Sequence, residues 1–524
     1  MADSGLRSGS KSKLYPLAPH SMKTLRPQSS SQSSCLRTAL RAFTGAGLAL
    51  LALAAPATPQ SSPQLPGQGF AHQNPMVTAP QAFQWSTASG LGLVKIQAPI
   101  DYGWIVLPND KLQFRFVPSL TGDPTIEAIF WPPASGHPTQ AERITFQFPL
   151  NTQGHPKAGA LVIAFHSYGV SEKDIWINTD IAQLCADRGW ALIAPYGMVD
   201  THYGNEQSQA SLNKVLNSVR KYFKFDEERV YAVGFSMGGG AALSYSMRHL
   251  SDARTQVAAV INHTGTQDLV DVYQTGSFAV KAMLSDEEHF GAAPVGADAA
   301  FPYLRVSPSR IVLGNNDPNN TPLRNLGHIP IYTFLNLDDP QTKLVSHNQI
   351  VTSYLQSLGH PVTLVTANKG SVHNWSTLDM TAAFRWLERK RLPKEPTTMQ
   401  IFADREIEYL ATQVRAKQAL RQARYDLTAS QGTNALDVLN TRYIDTLFVD
   451  LERLGLSAAV PLMVTWSSID DLGDEIVLPG YPSPPTSVLR DGLVDGNWSH
   501  DVVTGELTLA VLPGTTAAVF DITP

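Results

Sequence analysis

Gly234-Phe235-Ser236-Met237-Gly238, inside RVYAVGFSMGGGAALSYS, are the residues whose types and spacing best fit chemistry. An apolar run leads into Ser236, and a stretch rich in Gly and Ala follows it. A serine on a sharp strand-to-helix turn presents its hydroxyl as a nucleophile. Such a turn strains the serine backbone and leaves no room for side chains two residues before and two after. Gly234 and Gly238 remove those side chains. The helix that starts after Ser236 aims its positive end at any negative charge that develops there.

A serine hydroxyl needs a base, and the base needs an orienting acid. Asp338-Asp339-Pro340 follows the apolar run IYTFL, and His373, in GSVHNW, follows VTLVT. Both are loops at strand ends, where reactive groups collect in open α/β sheets. Asp339 is favoured over Asp338 because the Asp-Pro pair opens a turn before a helix; the other carboxylate then caps the loop. His373 follows both the acid and the last strand of its block. His347 and His360 flank one helix and read as a cap and a surface residue, His263 lies just past a strand, and His202 sits in a polar loop. Trp375 is either a wall of the site or a core residue. An oxyanion at an attacked carbonyl calls for two backbone N–H donors. The expected donors are Met237, directly after the nucleophile, and Tyr168 in the loop His166-Ser167-Tyr168-Gly169.

The elements that must position these residues are legible as apolar runs. Ala160–Phe165, Ala191–Ala194, Val230–Val233, Val257–Ile261, Ile331–Leu335 and Val362–Thr366 read as strands buried on both faces. Helical patterns separate them, among them Leu212–Phe223, Val345–Leu358 and Ala382–Lys390. That alternation predicts a mostly parallel sheet flanked by helices. Upstream, short apolar runs broken by Gly and Pro (LGLVKIQ, WIVLP, LQFRFVP, IEAIFWP, ITFQFP) predict a β-rich segment. Downstream, Ile407, Leu410 and Val414 fall on one helical face and Leu436–Leu454 continues a helical pattern beyond Gly432, so a helical hairpin is expected. Alternation at Leu507, Leu509 and Val511 predicts a small β module at the end. The expected division is a leader at 1–57, a flexible linker at 58–82, a β-rich segment at 83–154, an α/β catalytic domain at 155–393, the helical hairpin at 394–458 and the β module at 459–524.

AFHSYG, DRGWALIAPYG, DEERVYAVGFSMGGG, the Asp339 loop and GHPVTLV…GSVHNW together resemble the α/β-hydrolase superfamily. The likeness is to secreted esterases of the polyhydroxybutyrate-depolymerase and feruloyl-esterase type and to prolyl-oligopeptidase catalytic domains, and it spans 155–393. It implies a Ser236–His373–Asp339 triad, an acyl-enzyme, an oxyanion hole from the Met237 and Tyr168 N–H groups, and no cofactor. The family usually has His-Gly where this chain has His166-Ser167. The expected function is cleavage of a small-molecule or polymeric carboxylic ester. The alternatives are a prolyl-oligopeptidase-type serine peptidase and a non-catalytic binding protein on the same scaffold. Peptidases of that type usually carry an N-terminal β-propeller, and the ~100 residues between the leader and Gly159 fall far short of one.

The remaining signals concern address and partners. Seven of the 40 basic residues and one of the 45 acidic ones lie in the first 57 positions, leaving 33 against 44 beyond them. That negative balance argues against nucleic-acid binding and against an electrostatic membrane surface. The basic stretch, the apolar run Ala42–Ala55 and Pro56-Ala57 have the parts of a secretory signal, so a secreted or periplasmic location without a membrane anchor is expected. The run is shorter than the about 20 apolar residues a membrane span needs. Only Cys35 and Cys185 occur; removal of the leader leaves one, so no intramolecular disulfide is expected, and Cys185 reads as core. There is no H-E-x-x-H and no phosphate-binding Gly loop, and Asp491, Asp495 and Asp501 read as a solvated turn with calcium as a weak alternative. Trp498 is a candidate stacking residue or a core residue. The sequence carries no sign of oligomeric state.

Overall fold

The computed structural model describes residues 121–130, 142–150, 157–310, 322–470 and 472–524, together with strand segments at 83–86, 93–96, 105–107 and 112–117. The leader, the linker and Cys35 lie outside the described residues. Ten strands form the central sheet: β1 (Ile105–Leu107), β2 (Leu112–Val117), β3 (Thr125–Phe130), β4 (Glu142–Gln147), β5 (Leu161–Phe165), β6 (Ala191–Pro195), β7 (Val230–Phe235), β8 (Ala259–His263), β9 (Ile331–Asn336) and β10 (Val362–Ala367). Their spatial order is β10-β9-β8-β7-β5-β6-β4-β3-β2-β1. Pairing is parallel from β10 to β6 and antiparallel from β6 to β1.

The apolar runs become strands because both sheet faces are covered. Along β5, Leu161, Ile163 and Phe165 enter one hydrophobic cluster and Val162 and Ala164 the other. The first face takes α2 (Glu206–Tyr222), α3 (Met237–Arg248) and α7 (Thr342–Ser357); the second takes α1 (Ile181–Ala186) and α8 (Met380–Leu387). Between β8 and β9 an insertion folds into α4 (Leu269–Thr275), α5 (Phe278–Leu284) and α6 (Ala297–Leu304) around its own cluster of Leu269, Leu284, Phe290 and Tyr303. Local chemistry fixes the helix starts: Asn205 accepts from Ser208 N at the head of α2, and Asp379 from Ala382 N at the head of α8. This is the α/β architecture expected, a parallel-rich sheet between helices.

Two expectations are corrected. Part of the segment 83–154 belongs to the catalytic sheet: β4 pairs with β6, Ile144 opposite Pro195, so β1–β4 extend that sheet, while the strand segments 83–86 and 93–96 pair with each other in a separate two-stranded sheet. The helical hairpin at 394–458 is absent. Residues from Thr398 onward form two β-sheets that share one hydrophobic core, with Tyr425 and Val464 from one and Leu447 and Ile476 from the other, a β-sandwich, and the expected border at 458/459 falls inside it. The seven-stranded sheet runs Thr398–Ala403, Ala423–Ser430, Ala435–Arg442, Leu462–Ser468, Ala517–Thr523, Ser487–Arg490 and Leu493–Val494 in spatial order. The six-stranded one runs Glu408–Tyr409, Thr412–Ala416, Ile444–Val449, Asp474–Pro479, Glu506–Val511 and Trp498–Asp501. The period is two: Ala423, Tyr425, Leu427 and Ala429 are buried while their neighbours are half-exposed. Non-local pairing and burial override the helix preference of the Ala, Arg and Gln in this stretch.

Candidate active site

Ser236 sits between β7 and α3 at φ 56° and ψ −121°, a backbone region an L-residue enters at a cost of order 1–3 kcal/mol. Four hydrogen bonds hold it there. Its N–H donates to His263 O (3.0 Å), and its carbonyl accepts from Gly239 N (3.1 Å), Gly240 N (3.3 Å) and Thr266 N (3.1 Å). A Cβ on Gly234 would lie 2.0 Å from Gly238 O, and one on Gly238 would lie 2.1 Å from Phe165 O. Both obstacles are backbone, so neither yields to a rotamer change.

His373 Nε2 lies 2.9 Å from Ser236 Oγ, and His373 Nδ1 lies 2.7 Å from Asp339 Oδ2. A carboxylate only accepts, so Nδ1 carries the proton and the Nε2 lone pair faces the serine hydroxyl. Asp339 is buried, and its other oxygen accepts from Gln341 N (2.8 Å) at the start of the turn into α7. Asp338 points elsewhere: exposed, it accepts from Asn368 Nδ2 (2.8 Å) and Gly370 N (3.0 Å) and braces the loop that carries His373.

Met237 provides the first N–H of α3, which has no partner within the helix. The Phe165 and His166 carbonyls press against Gly238 at that same turn, so the loop carrying Tyr168 adjoins the head of α3. The Tyr168 ring is held by the insertion, with its hydroxyl 3.6 Å from Met283 Sδ and its centroid 5.8 Å from that of Tyr203. At the unusual His166-Ser167 pair, the buried His166 ring lies 3.0 Å from Tyr196 O.

The competing histidines are buried or turned away from Ser236. His347 lies inside α7, 3.9 Å from Asp271, rather than at a cap. Burial pushes His360 down to about 4 and holds His202 well below the usual histidine range. His263 is fully buried, and burial followed by the nearness of His373 pushes it down to about 3. Trp375 is a core residue whose Nε1 donates to buried Asp174 (3.0 Å). Burial pushes the Cys185 thiol far above its usual range. Asp491, Asp495 and Asp501 do not converge: they serve Val519 N, Arg490 and Val503 N separately. Trp498 lies in an edge strand, half-buried against the core.

Three contributors escaped the sequence reading. Asn336 ends β9 and stitches the base-bearing loop, donating to Gly370 O (2.8 Å) and Val372 O (3.0 Å) and accepting from Lys369 N (2.9 Å). His263 holds Thr377 (2.9 Å) in that loop. Phe235 packs directly on His373. The available signal was a polar residue closing an apolar strand, Asn336 in IYTFLN and His263 in AVINH.

No protein-family model matches the chain, and no curated protein matches it. Among solved structures it is similar to the fluorophosphonate-binding serine hydrolase FphF of Staphylococcus aureus, with 14% identity and a TM-score of 0.37 over 50% of this chain and 97% of that one. It is similar to an S-formylglutathione hydrolase from Agrobacterium tumefaciens, with 12% identity and a TM-score of 0.39 over 53% and 98%. It is also similar to the acylaminoacyl peptidase of Pyrococcus horikoshii, with 14% identity and a TM-score of 0.35 over 58% and 52%. These are distant likenesses.

Proposed function

We propose that this chain is a serine hydrolase that cleaves carboxylic esters through an acyl-enzyme. One observation carries the reading: Ser236 Oγ, His373 and Asp339 form a continuous hydrogen-bonded relay of 2.9 and 2.7 Å on a strained strand-to-helix turn. His373 takes the Ser236 proton as Oγ attacks the ester carbonyl, and Asp339 stabilises the imidazolium and fixes its tautomer. The Met237 N–H at the head of α3, with that of Tyr168, receives the oxyanion. His373 then returns the proton to the leaving alcohol, and water repeats the sequence to release the acid.

The second reading is a serine peptidase of the prolyl-oligopeptidase type, which the same relay would serve. The test is labelling of the purified chain by a fluorophosphonate beside Ser236→Ala, followed by p-nitrophenyl esters against aminoacyl-p-nitroanilides. Labelling lost in the variant and turnover of the esters are expected. A folded wild-type chain that takes no label removes the proposal, and turnover of the anilides alone moves it to a peptidase.

A further inference from the structure

Phe235, the last residue of β7 and the neighbour of Ser236, is buried, and its ring makes three contacts in the site. Its centroid lies 4.4 Å from that of His373, 4.5 Å from that of His263 and 5.4 Å from that of Trp375. Two imidazoles on one benzene ring raise the question of where positive charge goes when one of them takes a proton.

Hydrogen-bond counting settles the state of His263. Thr377 Oγ1 has a single hydrogen and uses it on Asn374 O (3.0 Å), so at His263 Nε2 (2.9 Å) the hydroxyl accepts. His263 Nε2 therefore carries the proton, and Nδ1 is buried with no hydrogen-bond partner. A second proton on Nδ1 would be stranded there, and burial together with His373 opposes it. Of the two imidazoles on Phe235, only His373 is free to become charged.

We propose that Phe235 is a positioning residue that seats the His373 imidazolium on its π face, with His263 kept neutral beside it. The inference rests on the relay assigned above. A cation over the face of an aromatic ring and within about 6 Å of its centroid is attracted electrostatically; the His373 ring lies 4.4 Å from that of Phe235 at an interplanar angle of 41°. The seat stabilises the charged form and so favours the transition state in which the proton has moved. The titratable groups facing His373 are Asp339, from the loop between β9 and α7, and His263, from the end of β8. Asp338 turns away to Gly370 N.

The test is an NMR titration of 15N-histidine in the full chain and in Phe235→Leu, which keeps apolar bulk and removes the π face. His373 in Phe235→Leu should titrate about 0.5–1 pH unit lower than in wild type. The acid limb of kcat/KM for a nitrophenyl ester should move the same way, with kcat reduced about 3–10-fold and KM unchanged, and Phe235→Tyr should restore both. His263 should show one protonated nitrogen, Nε2, from pH 5 to 9. An unchanged His373 titration in folded Phe235→Leu overturns the proposal, as does a His263 that titrates above pH 5. If Phe235→Leu does not fold, Phe235→Tyr against Phe235→Met decides the same difference. The titration reads a proton rather than turnover, so failure to hydrolyse esters would remove the functional reading and leave this one separately decided.

Discussion

The Asp339 carboxylate divides its oxygens between His373 Nδ1 and Gln341 N, while Asp338, exposed and one residue earlier, serves Asn368 and Gly370 N. Asp339→Asn should therefore lower kcat by about 10^4-fold, because an amide at Oδ2 favours the wrong tautomer of His373. Asp338→Asn keeps an acceptor toward the loop and should stay within about tenfold of wild type in kcat/KM. A reversal of that ranking would reassign the acid. The turn itself offers a steric test. In Gly238→Ala the new Cβ meets backbone oxygen at 2.1 Å, so the head of α3 or the loop after β5 must move. A loss of ~3 kcal/mol in urea unfolding and of fluorophosphonate labelling is expected. Ser236 was legible because backbone sterics write its two glycines into the sequence. The choice between Asp338 and Asp339 rested on the weaker hint of an Asp-Pro turn, since two adjacent carboxylates differ only in which one the fold buries. Phe235, Asn336 and His263 were illegible because their work depends on contacts between chain segments about 30 to 140 residues apart, for which no spacing rule exists.

At the scale of elements, the join that matters is between α3 and the sandwich. Arg248 ends α3, is buried, and donates to Asp404 Oδ2 through Nε (2.9 Å) and Nη2 (2.6 Å). Arg305 reaches the same oxygen (2.8 Å), Tyr409 OH donates to the other (2.9 Å), and Glu206 pairs with Arg248. Burial alone would raise the Asp404 carboxyl, but Arg248, Arg405 and Arg305 reverse that and hold it well below the carboxylate range. Asn325 adds a neutral clasp, bridging Met247 O (2.9 Å) and the backbone of Phe402 (2.7 Å). The helix that carries Ser236 at one end is thus anchored to the sandwich at the other. Asp404→Ala should cost about 3–5 kcal/mol, because it leaves buried guanidinium groups without their anion. Asp404→Asn should cost less, and removal of residues 398–524 should yield an insoluble core. A truncated chain that melts and labels like the full one would show the sandwich to be dispensable. Strands buried on both faces were legible as continuous apolar runs. The first half of the sandwich, 394–458, was misread because its strands alternate buried and more exposed residues rather than running apolar throughout, and Ile407, Leu410 and Val414 mimic a helical stripe while lying in a strand-and-turn segment.

For the molecule as a whole, the decisive balance is between buried histidines that resist a proton and buried carboxylates that retain one. Seven described histidines, His202, His249, His263, His289, His328, His347 and His360, are lowered in the fold, in every case first by burial. A lowered histidine binds fewer protons in the folded than in the unfolded state below its ordinary value. Its stabilisation is complete above about pH 6.5 and falls as pH drops, by up to about 1.4 kcal/mol per pH unit for each group. Glu142 has the opposite sign. Buried at the start of β4, where it accepts from Gly197 N (2.9 Å) and Ser211 Oγ (3.1 Å), it is pushed up to about 7 by burial. Its contribution is present below about pH 4.5 and is lost as pH rises toward 7. Asp123, Asp268, Glu395 and Asp474 are likewise raised first by burial, so five carboxylates oppose the seven histidines below neutrality. The lowered carboxyls of Glu206 and Asp404 act with the histidines, so acidification takes stability from a net total of about 5–15 kcal/mol. Stability should fall from pH 7 toward pH 5, with net uptake of protons on unfolding, measurable by calorimetry in buffers of different ionisation enthalpy. Glu142→Gln isolates one opposing group: relative to wild type it should gain stability at pH 8 and little at pH 5. A melting temperature that stays level from pH 7.5 to 5 in wild type and falls no faster in Glu142→Gln would overturn the burial argument for the histidines.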